Sequence, residues 1–299
     1  MSEQFVLPSP IQELSHPLFQ AKKVQVFVKR DDLIHPIISG NKWRKLKYNL
    51  EAAREQNFPT LLTFGGAFSN HIAATAVAGQ VFGFQTIGII RGEEYLPLNP
   101  TLKLAKEKQM RLIYVNRSDY RTKDRLALAE SLVTEPFYFI PEGGTNALAL
   151  KGCGEILEEE SSQQFNYICV SCGTGGTISG IIQAAKRDQK VIGFSALKGD
   201  FLKKEIINLL GRKYDNWTLQ TDYHFGGYAK FKGELIDFIN QFRAEHFIQL
   251  DPIYTSKLFY GVLDLIKKNY FPENSKILVI HTGGLQGIRG FNERFGNLI

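Results

Sequence analysis

One lysine lies where its amine could act as a nucleophile. Lys42 stands in the segment Gly40-Asn41-Lys42-Trp43-Arg44-Lys45-Leu46, at the predicted start of a helix. A lysine amine attacks carbonyl carbons when desolvation or a nearby cation lowers its pKa. Arg44 and Lys45 could supply that cation, and the helix N-terminus also disfavours a protonated amine. Most single lysines are solvated surface charges, so this segment alone leaves both interpretations open.

A glycine-rich loop could bind phosphate. The segment Cys172-Gly173-Thr174-Gly175-Gly176-Thr177 follows a predicted strand and opens a predicted helix. Glycines let backbone N–H groups approach a ligand, and a helix N-terminus adds unpaired donors. The loop has neither the Gly-Lys-Ser/Thr of a Walker A loop nor the spacing of a dinucleotide fingerprint. It predicts a phosphate cradle or, as the alternative, a tight strand-to-helix connection.

The segment Ser69-Asn70-His71 also lies at a predicted strand-to-helix turn. Ser69 is a good N-cap because its hydroxyl can accept from backbone N–H groups two or three residues on. The functional interpretation is that Ser69 and Asn70 face a ligand where the helix begins. His71 is predicted to cap or pack rather than to take part in chemistry.

Three further segments carry polar side chains next to predicted elements. They are Gly226-Gly227-Tyr228, Asp251-Pro252-Ile253-Tyr254-Thr255 and His281-Thr282-Gly283-Gly284. The last of these follows a strand, where ligands of parallel sheets bind. A tyrosine ionises near neutral pH only if a cation lowers its pKa. Cys169 and Cys172 have the spacing of a redox pair but lie on a strand, which favours packing.

Short apolar runs rich in Val, Ile and Phe alternate with amphipathic stretches along the whole chain. The predicted strands are Val24–Val28, Thr60–Phe64, Thr86–Ile90, Arg111–Val115, Phe137–Ile140, Tyr167–Ser171, Val191–Ser195 and Ile277–Ile280. The predicted helices are Lys42–Arg54, Asn70–Val81, Asn99–Lys108, Lys123–Val133, Ala147–Glu160, Thr177–Lys186, Phe231–Glu245 and Ser256–Asn269. This alternation predicts an α/β fold with parallel sheets covered on both faces.

The composition limits the class of protein. The chain has 299 residues, 43% of them hydrophobic and 22% charged, with a net charge of +6. No dense Lys/Arg run occurs, so we expect an anionic cofactor or substrate rather than nucleic acid. Three cysteines do not form a disulfide framework. Without a recognisable signal peptide or an apolar run of ~20 residues, we expect a soluble cytoplasmic protein and no membrane partner.

Taken in order, these segments resemble the 1-aminocyclopropane-1-carboxylate deaminase and D-cysteine desulfhydrase family of fold-type II pyridoxal phosphate enzymes. The resemblance runs from Lys29-Arg30-Asp31-Asp32 to His281-Thr282-Gly283-Gly284, over nearly the whole chain. Asn-Lys-x-Arg-Lys-Leu and Ser-Asn-His are its most specific motifs. It implies two open, twisted, mostly parallel sheets with the cofactor between two domains, the large one of residues 1–44 and 142–299 and the small inserted one of residues 45–141. Relatives of this fold type imply a homodimer.

The resemblance assigns pyridoxal 5'-phosphate as the cofactor and no metal. Lys42 would form the internal aldimine and shuttle protons once the substrate displaces it. Lys45 and the loop would hold the phosphate, the loop residues being Gly173, Thr174, Gly175, Gly176 and Thr177. Asn70 would bond the phenolic oxygen, and Thr282 would face the pyridine nitrogen.

The resemblance also assigns residues to a small amino-acid substrate. Ser69 would bind its carboxylate or assist the lysine, and Tyr228 and Tyr254 would flank it. The deaminases carry glutamate after the tyrosine of Asp-Pro-x-Tyr, beside the pyridine nitrogen, where this chain has Thr255. A carboxylate there strengthens the electron sink, which ring opening of a cyclopropane needs more than β-elimination does.

Thr255 therefore favours D-cysteine desulfhydrase activity, a lyase reaction. The alternatives are a 1-aminocyclopropane-1-carboxylate deaminase, which is a hydrolase, and a D-serine dehydratase. A non-catalytic protein that binds a phosphate ligand, and a dinucleotide-binding module, stay open as further alternatives from other classes.

Overall fold

The computed structural model describes residues 5–122, 124–159 and 164–299. In this part of the chain ten strands form two sheets, one of six strands and one of four. The strands are β1 Ile11–Leu14, β2 Gln25–Lys29, β3 Thr60–Gly66, β4 Gln85–Arg91, β5 Arg111–Val115, β6 Tyr138–Ile140, β7 Tyr167–Cys172, β8 Lys190–Ser195, β9 Trp217–Gln220 and β10 Lys276–Ile280. All eight predicted strands are present to within two residues, which confirms the predicted alternation.

Helices join and cover these strands. Those of the described residues are α1 Pro17–Ala21, α2 Asn41–Glu55, α3 Asn70–Phe82, α4 Pro100–Glu107, α5 Arg117–Thr122, α6 Arg125–Leu132, α7 Ala147–Glu158, α8 Gly176–Ala184, α9 Phe201–Leu210, α10 Gly233–His246, α11 Thr255–Lys267 and α12 Gly287–Phe295. Two predicted helix ends, Lys123 and Glu160, lie outside the described residues. None of the described helices is long and apolar enough to cross a membrane.

The large sheet has the strand order β1-β2-β10-β7-β8-β9, and the small one β5-β4-β3-β6. Every pairing is parallel except that of β1 with β2. This confirms the predicted class of an α/β fold with two mostly parallel sheets. Because the central parallel strands are buried on both faces, their inner residues are mostly apolar. Six of the seven residues of β3 are buried, for example.

Six elements of the described chain went unpredicted: the strands β1 and β9 and the helices α1, α5, α9 and α12. The strands β1 and β9 have only four residues each, about half of them polar, and both lie at sheet edges. An edge strand needs little apolar character, so a hydropathy pattern does not detect it. Helix α1 is a single turn. Helix α9 buries Leu202 and Ile206 but exposes half of Phe201, which obscures its apolar stripe.

The four strands of the small sheet lie between residues 60 and 140, inside the predicted domain of residues 45–141. The other predicted boundary, between residues 44 and 45, falls inside α2, which is a continuous helix. The division into domains stays a prediction. The site is positioned by the carboxyl ends of β3, β7 and β10 and by the first turns of α2, α3 and α8.

Candidate active site

A cavity lies where these strand ends and helix starts meet. Lys42, Lys45, Ser69, Asn70, Tyr228, Tyr254 and Thr282 line it, together with Gly173, Thr174, Gly175 and Thr177 of the glycine loop. Ligand sites in open parallel sheets lie at the carboxyl ends of the strands, as here. The structure thus brings together eleven of the thirteen predicted site residues; Gly176 and Thr255 do not line the cavity.

Lys42 is the second residue of α2, and its side chain is half-buried in the cavity wall. Its Nζ lies 2.9 Å from Oδ1 of Asn41. Burial, followed by the charge of Lys45, lowers the pKa of Lys42 from 10.5 to about 7. A large fraction of the amine is therefore neutral near neutral pH, which a nucleophile or a proton acceptor requires.

Lys45 directs its ammonium at the glycine loop. Its Nζ donates to the backbone oxygen of Gly143 at 2.9 Å and to Oγ1 of Thr145 at 3.0 Å, and lies 3.4 Å from Oγ1 of Thr174. Burial lowers the pKa of Lys45. Neither Lys42 nor Lys45 forms an ion pair with a described residue. Two neighbouring amines without a carboxylate favour an anionic ligand.

The glycine loop is open toward this ammonium. Gly175 has a φ of 82°, the left-handed region that favours glycine, and no side chain caps the N-terminus of α8. A Cβ on Gly176 would lie 3.2 Å from Nζ of Lys45 and 2.8 Å from Oγ1 of Thr145. A side chain here would therefore fill the space in front of the ammonium. The cradle fits a phosphate group, held by the loop amides and by Lys45.

Ser69 caps α3 as predicted. Its hydroxyl accepts from the backbone N–H of His71 at 3.2 Å and of Ile72 at 3.3 Å. The next residue, Asn70, accepts a hydrogen bond at Oδ1 from the side-chain amide of Gln286. Since this bond occupies Oδ1, the amide nitrogen of Asn70 is the atom available as a donor to a ligand oxygen. Sequence reasoning missed Gln286, which is far away along the chain.

His71 is buried, lines the cavity and packs as predicted. Its Nε2 lies 2.9 Å from Oγ1 of Thr63, and Thr63 donates its own proton to the backbone oxygen of Ile140. Nε2 must therefore be the protonated nitrogen. Burial and the charges of Lys42 and Lys45 keep the pKa of His71 well below its usual range. Nδ1 is then a lone-pair acceptor, without a hydrogen-bond partner among the described residues.

Thr282 follows β10, and its hydroxyl lies 3.2 Å from that of Ser171 at the end of β7. Both residues line the cavity. The backbone oxygen of Thr282 accepts from the N–H of Asn41 at 3.2 Å, next to Lys42. Gly40 is required at this crossing, because its φ is 57° and a Cβ would lie 2.1 Å from that oxygen. The start of α2 is thereby fixed to the end of β10.

Tyr228 and Tyr254 form an edge-to-face pair with ring centroids 6.2 Å apart. Burial raises the pKa of Tyr228 and raises that of Tyr254 well above 10. Both hydroxyls therefore stay protonated at neutral pH and act as donors. The turn that carries Tyr228 is held by Lys257, whose Nζ donates to the backbone oxygen of Gly227 at 2.8 Å. Burial lowers the pKa of Lys257 to about 8.

Thr255 is fully buried and donates to Oδ1 of Asp251 at 2.7 Å, so its hydroxyl supports the turn before α11. The same carboxylate accepts from the backbone N–H of Tyr254 at 2.9 Å. The contact of Thr255 with the cofactor stays a prediction. Arg44 is not the cation that lowers the pKa of Lys42. Its guanidinium bonds the carboxylates of Asp31, at 3.0 Å, and Glu159, at 2.7 Å.

The three cysteines are free and buried, and burial raises the pKa of Cys172 to about 12. A buried thiol of high pKa is unreactive, which confirms the prediction of packing for Cys169 and Cys172.

A lysine of lowered pKa next to a phosphate cradle defines the class of enzymes that hold an aldehyde cofactor on a lysine. The chain matches the model of the family described as pyridoxal-phosphate dependent enzyme over residues 3–283. It is 34% identical to a putative 1-aminocyclopropane-1-carboxylate deaminase of Pyrococcus horikoshii, over 97% of this chain and 94% of that protein. It is 30% identical to a bifunctional, mitochondrial D-cysteine desulfhydrase/1-aminocyclopropane-1-carboxylate deaminase of Arabidopsis thaliana, over 94% and 77%.

Among solved structures, a crystal structure of an ACC deaminase homologue matches with a TM-score of 0.82 and 30% identity, over 100% of this chain and 96% of that one. The chain therefore belongs to the 1-aminocyclopropane-1-carboxylate deaminase and D-cysteine desulfhydrase family of fold-type II pyridoxal phosphate enzymes. Its cofactor is pyridoxal 5'-phosphate, which the cradle and the two lysines fit.

Proposed function

We propose that the protein is a D-cysteine desulfhydrase. Its reaction takes D-cysteine and water to pyruvate, hydrogen sulfide and ammonia. The observation that carries the proposal is that no aspartate or glutamate of the described residues lines the cavity, where Thr282 supplies an uncharged hydroxyl. β-Elimination needs less electron withdrawal than ring opening, because the α-proton is available and sulfide leaves readily.

Bound pyridoxal phosphate supplies an electron sink for the negative charge that proton loss leaves on the substrate's α-carbon. The amine of Lys42 accepts this proton, because its pKa of about 7 leaves much of it neutral. Lys45 and the amides of the Gly173–Thr177 loop hold the phosphate. Asn70 donates to the phenolic oxygen through its amide nitrogen, since Gln286 bonds the other atom of its side-chain amide.

The remaining residues of the cavity bind and orient the substrate. Ser69 lies at the N-terminus of α3, where the helix dipole and the hydroxyl favour a carboxylate. Tyr228 and Tyr254 would flank the substrate, and their protonated hydroxyls can donate hydrogen bonds to the departing sulfur. Thr282, which lines the cavity, would face the pyridine nitrogen and, being uncharged, would not hold a proton on it.

A second candidate is 1-aminocyclopropane-1-carboxylate deaminase, which yields 2-oxobutanoate and ammonia. The name of the relative from Pyrococcus horikoshii favours it, whereas the relative from Arabidopsis thaliana is named for both activities. Both candidates use the same lysine and the same cradle. They differ in the electron withdrawal that the pyridine ring must supply, which a carboxylate in the cavity would strengthen.

Assays of the purified holoenzyme with D-cysteine, D-serine and 1-aminocyclopropane-1-carboxylate separate these candidates. We expect D-cysteine to have the highest kcat/KM, measured as pyruvate and sulfide released in equal amounts. The variant Thr255→Glu should lose part of this activity, while Thr255→Ser, which keeps the hydroxyl on Asp251, should retain it. A higher kcat/KM for the cyclopropane acid would establish the deaminase instead, and turnover of none of the three would reject this substrate class.

A further inference from the structure

A second cavity lies beside the catalytic one, and Phe68 lines both. Its lining is dominated by arginines: Arg91, Arg117, Arg121, Arg125 and Arg294. None of these residues was singled out in the sequence, because they are dispersed over more than 200 positions. The fold brings them together around one space.

The arginines reach this space from four elements. Arg91 ends β4, Arg125 begins α6, and Arg117 and Arg121 lie one turn apart on α5. Arg294 comes from α12, near the end of the chain. A Cβ on Gly66 would lie 3.3 Å from Nη2 of Arg91, so the backbone at the end of β3 forms part of the wall.

These charges are mostly uncompensated. Arg125 lies 3.8 Å from the carboxylate of Glu142 and packs over the ring of Tyr120. The other four guanidinium groups form no ion pair with any residue of the described ranges. Arg91, Arg117, Arg121 and Arg294 are exposed, so water screens part of their mutual repulsion, and an anion between them reduces the remainder. Guanidinium groups bind phosphate and carboxylate through paired hydrogen bonds.

The arginine cavity acts electrostatically on the catalytic one. The charge of Arg91 lowers the pKa of Tyr228, opposing the larger effect of burial on that hydroxyl. Tyr228 lines the catalytic cavity, and Phe68 is shared by the two. A ligand in the arginine cavity would therefore lie next to the bound substrate.

We propose that the arginine cavity binds an oxyanion, of the phosphate or carboxylate type, next to the substrate. The oxyanion is either the distal group of a larger amino acid or a free anion that modulates turnover. The first source rests on the proposed function. With a phosphorylated serine, the Cβ–O bond breaks with its electron pair going to phosphate, Lys42 takes the α-proton, and water completes the products pyruvate, ammonia and phosphate.

Direct binding tests the cavity without any turnover. Inorganic phosphate is titrated calorimetrically into the holoenzyme, whose cofactor occupies the cradle, at low ionic strength. We expect the double variant Arg117→Gln/Arg121→Gln to bind at least about tenfold more weakly than the wild type. The control Lys203→Gln/Lys204→Gln removes two exposed charges from α9 and should bind as the wild type does. No binding by the wild type, or equal binding by the Arg117/Arg121 variant, would overturn the proposal.

Steady-state kinetics then identify the source of the anion. If the substrate carries it, O-phospho-D-serine should have a higher kcat/KM than D-serine, and the Arg117/Arg121 variant should lose this preference at least about tenfold. If a free anion binds, phosphate should change the KM for D-cysteine in the wild type only. If phosphate binds but neither kinetic effect is seen, the proposed proximity of the arginine cavity to the substrate is overturned. An enzyme inactive on every amino acid would reject the proposed function, while calorimetry would still test the cavity.

Discussion

Lys45 lies one helical turn after Lys42, on the same face of α2, and its charge helps to lower the pKa of Lys42 to about 7. The same ammonium is held in front of the phosphate cradle by Gly143 and Thr145. One residue thus has two effects. It faces the cradle that would hold the phosphate, and it adds to the effect of burial in lowering the pKa of the neighbouring amine.

Replacing Lys45 with Gln should make Lys42 harder to deprotonate. In the protein freed of cofactor, the rate of covalent attachment of pyridoxal phosphate should rise with pH around a midpoint near 7, because only the neutral amine reacts. In Lys45→Gln this midpoint should move up, since a cationic neighbour is gone. The control is Lys47→Gln, because Lys47 is paired with Glu155 at 2.7 Å. An unchanged midpoint in Lys45→Gln would contradict this electrostatic role.

Gln286 should position Asn70 without touching the substrate. The variant Gln286→Leu frees Oδ1 of Asn70 and lets its amide rotate, at the cost of one hydrogen bond worth about 1 kcal/mol. We expect about a fivefold weaker affinity for pyridoxal phosphate, measured by fluorescence titration. Gln241→Leu, which removes an exposed contact to Glu245, is the control. Equal affinities for pyridoxal phosphate in the two variants would show that Gln286 does not position Asn70.

Lys257 should give stability a distinct pH dependence. Its pKa is about 8 in the folded protein and 10.5 in the unfolded one, so the unfolded state holds more protons between these values. Its contribution to the free energy of unfolding should therefore rise as pH increases from 8 to 10.5, by at most about 3 kcal/mol. Denaturant unfolding of wild type and Lys257→Met across this window measures the difference. A difference in the free energy of unfolding that does not change between pH 8 and 10.5 would contradict the lowered pKa of Lys257.

The same variant also tests how the turn of Tyr228 is held. Without the bond from Lys257 to the oxygen of Gly227, the KM for the substrate should increase more than kcat falls.

The sequence predicted those features of the site that depend on a few consecutive residues. The cap by Ser69, the open loop at Gly175 and the lysine at the start of α2 each depend on a few consecutive residues. The residues that position these side chains from distant parts of the chain could not be predicted in this way. Gln286 and Asn70 are 216 positions apart, and nothing at either position indicates their contact.

Thr255 shows what a motif leaves open. The family resemblance predicts that position 255 lies beside the pyridine nitrogen, but α11 begins at Thr255 and its hydroxyl bonds Asp251. Neighbours in sequence at a helix start face different directions, so adjacency did not imply a shared cavity.

The central claim is that the amine of Lys42 carries pyridoxal phosphate. Borohydride reduction of the holoenzyme, followed by proteolysis and mass spectrometry, tests it most directly. We predict that the reduced cofactor is found on the peptide that contains Lys42, and that Lys42→Ala carries none. Label on Lys45 or Lys257 instead, or no label on the wild type, would contradict the account.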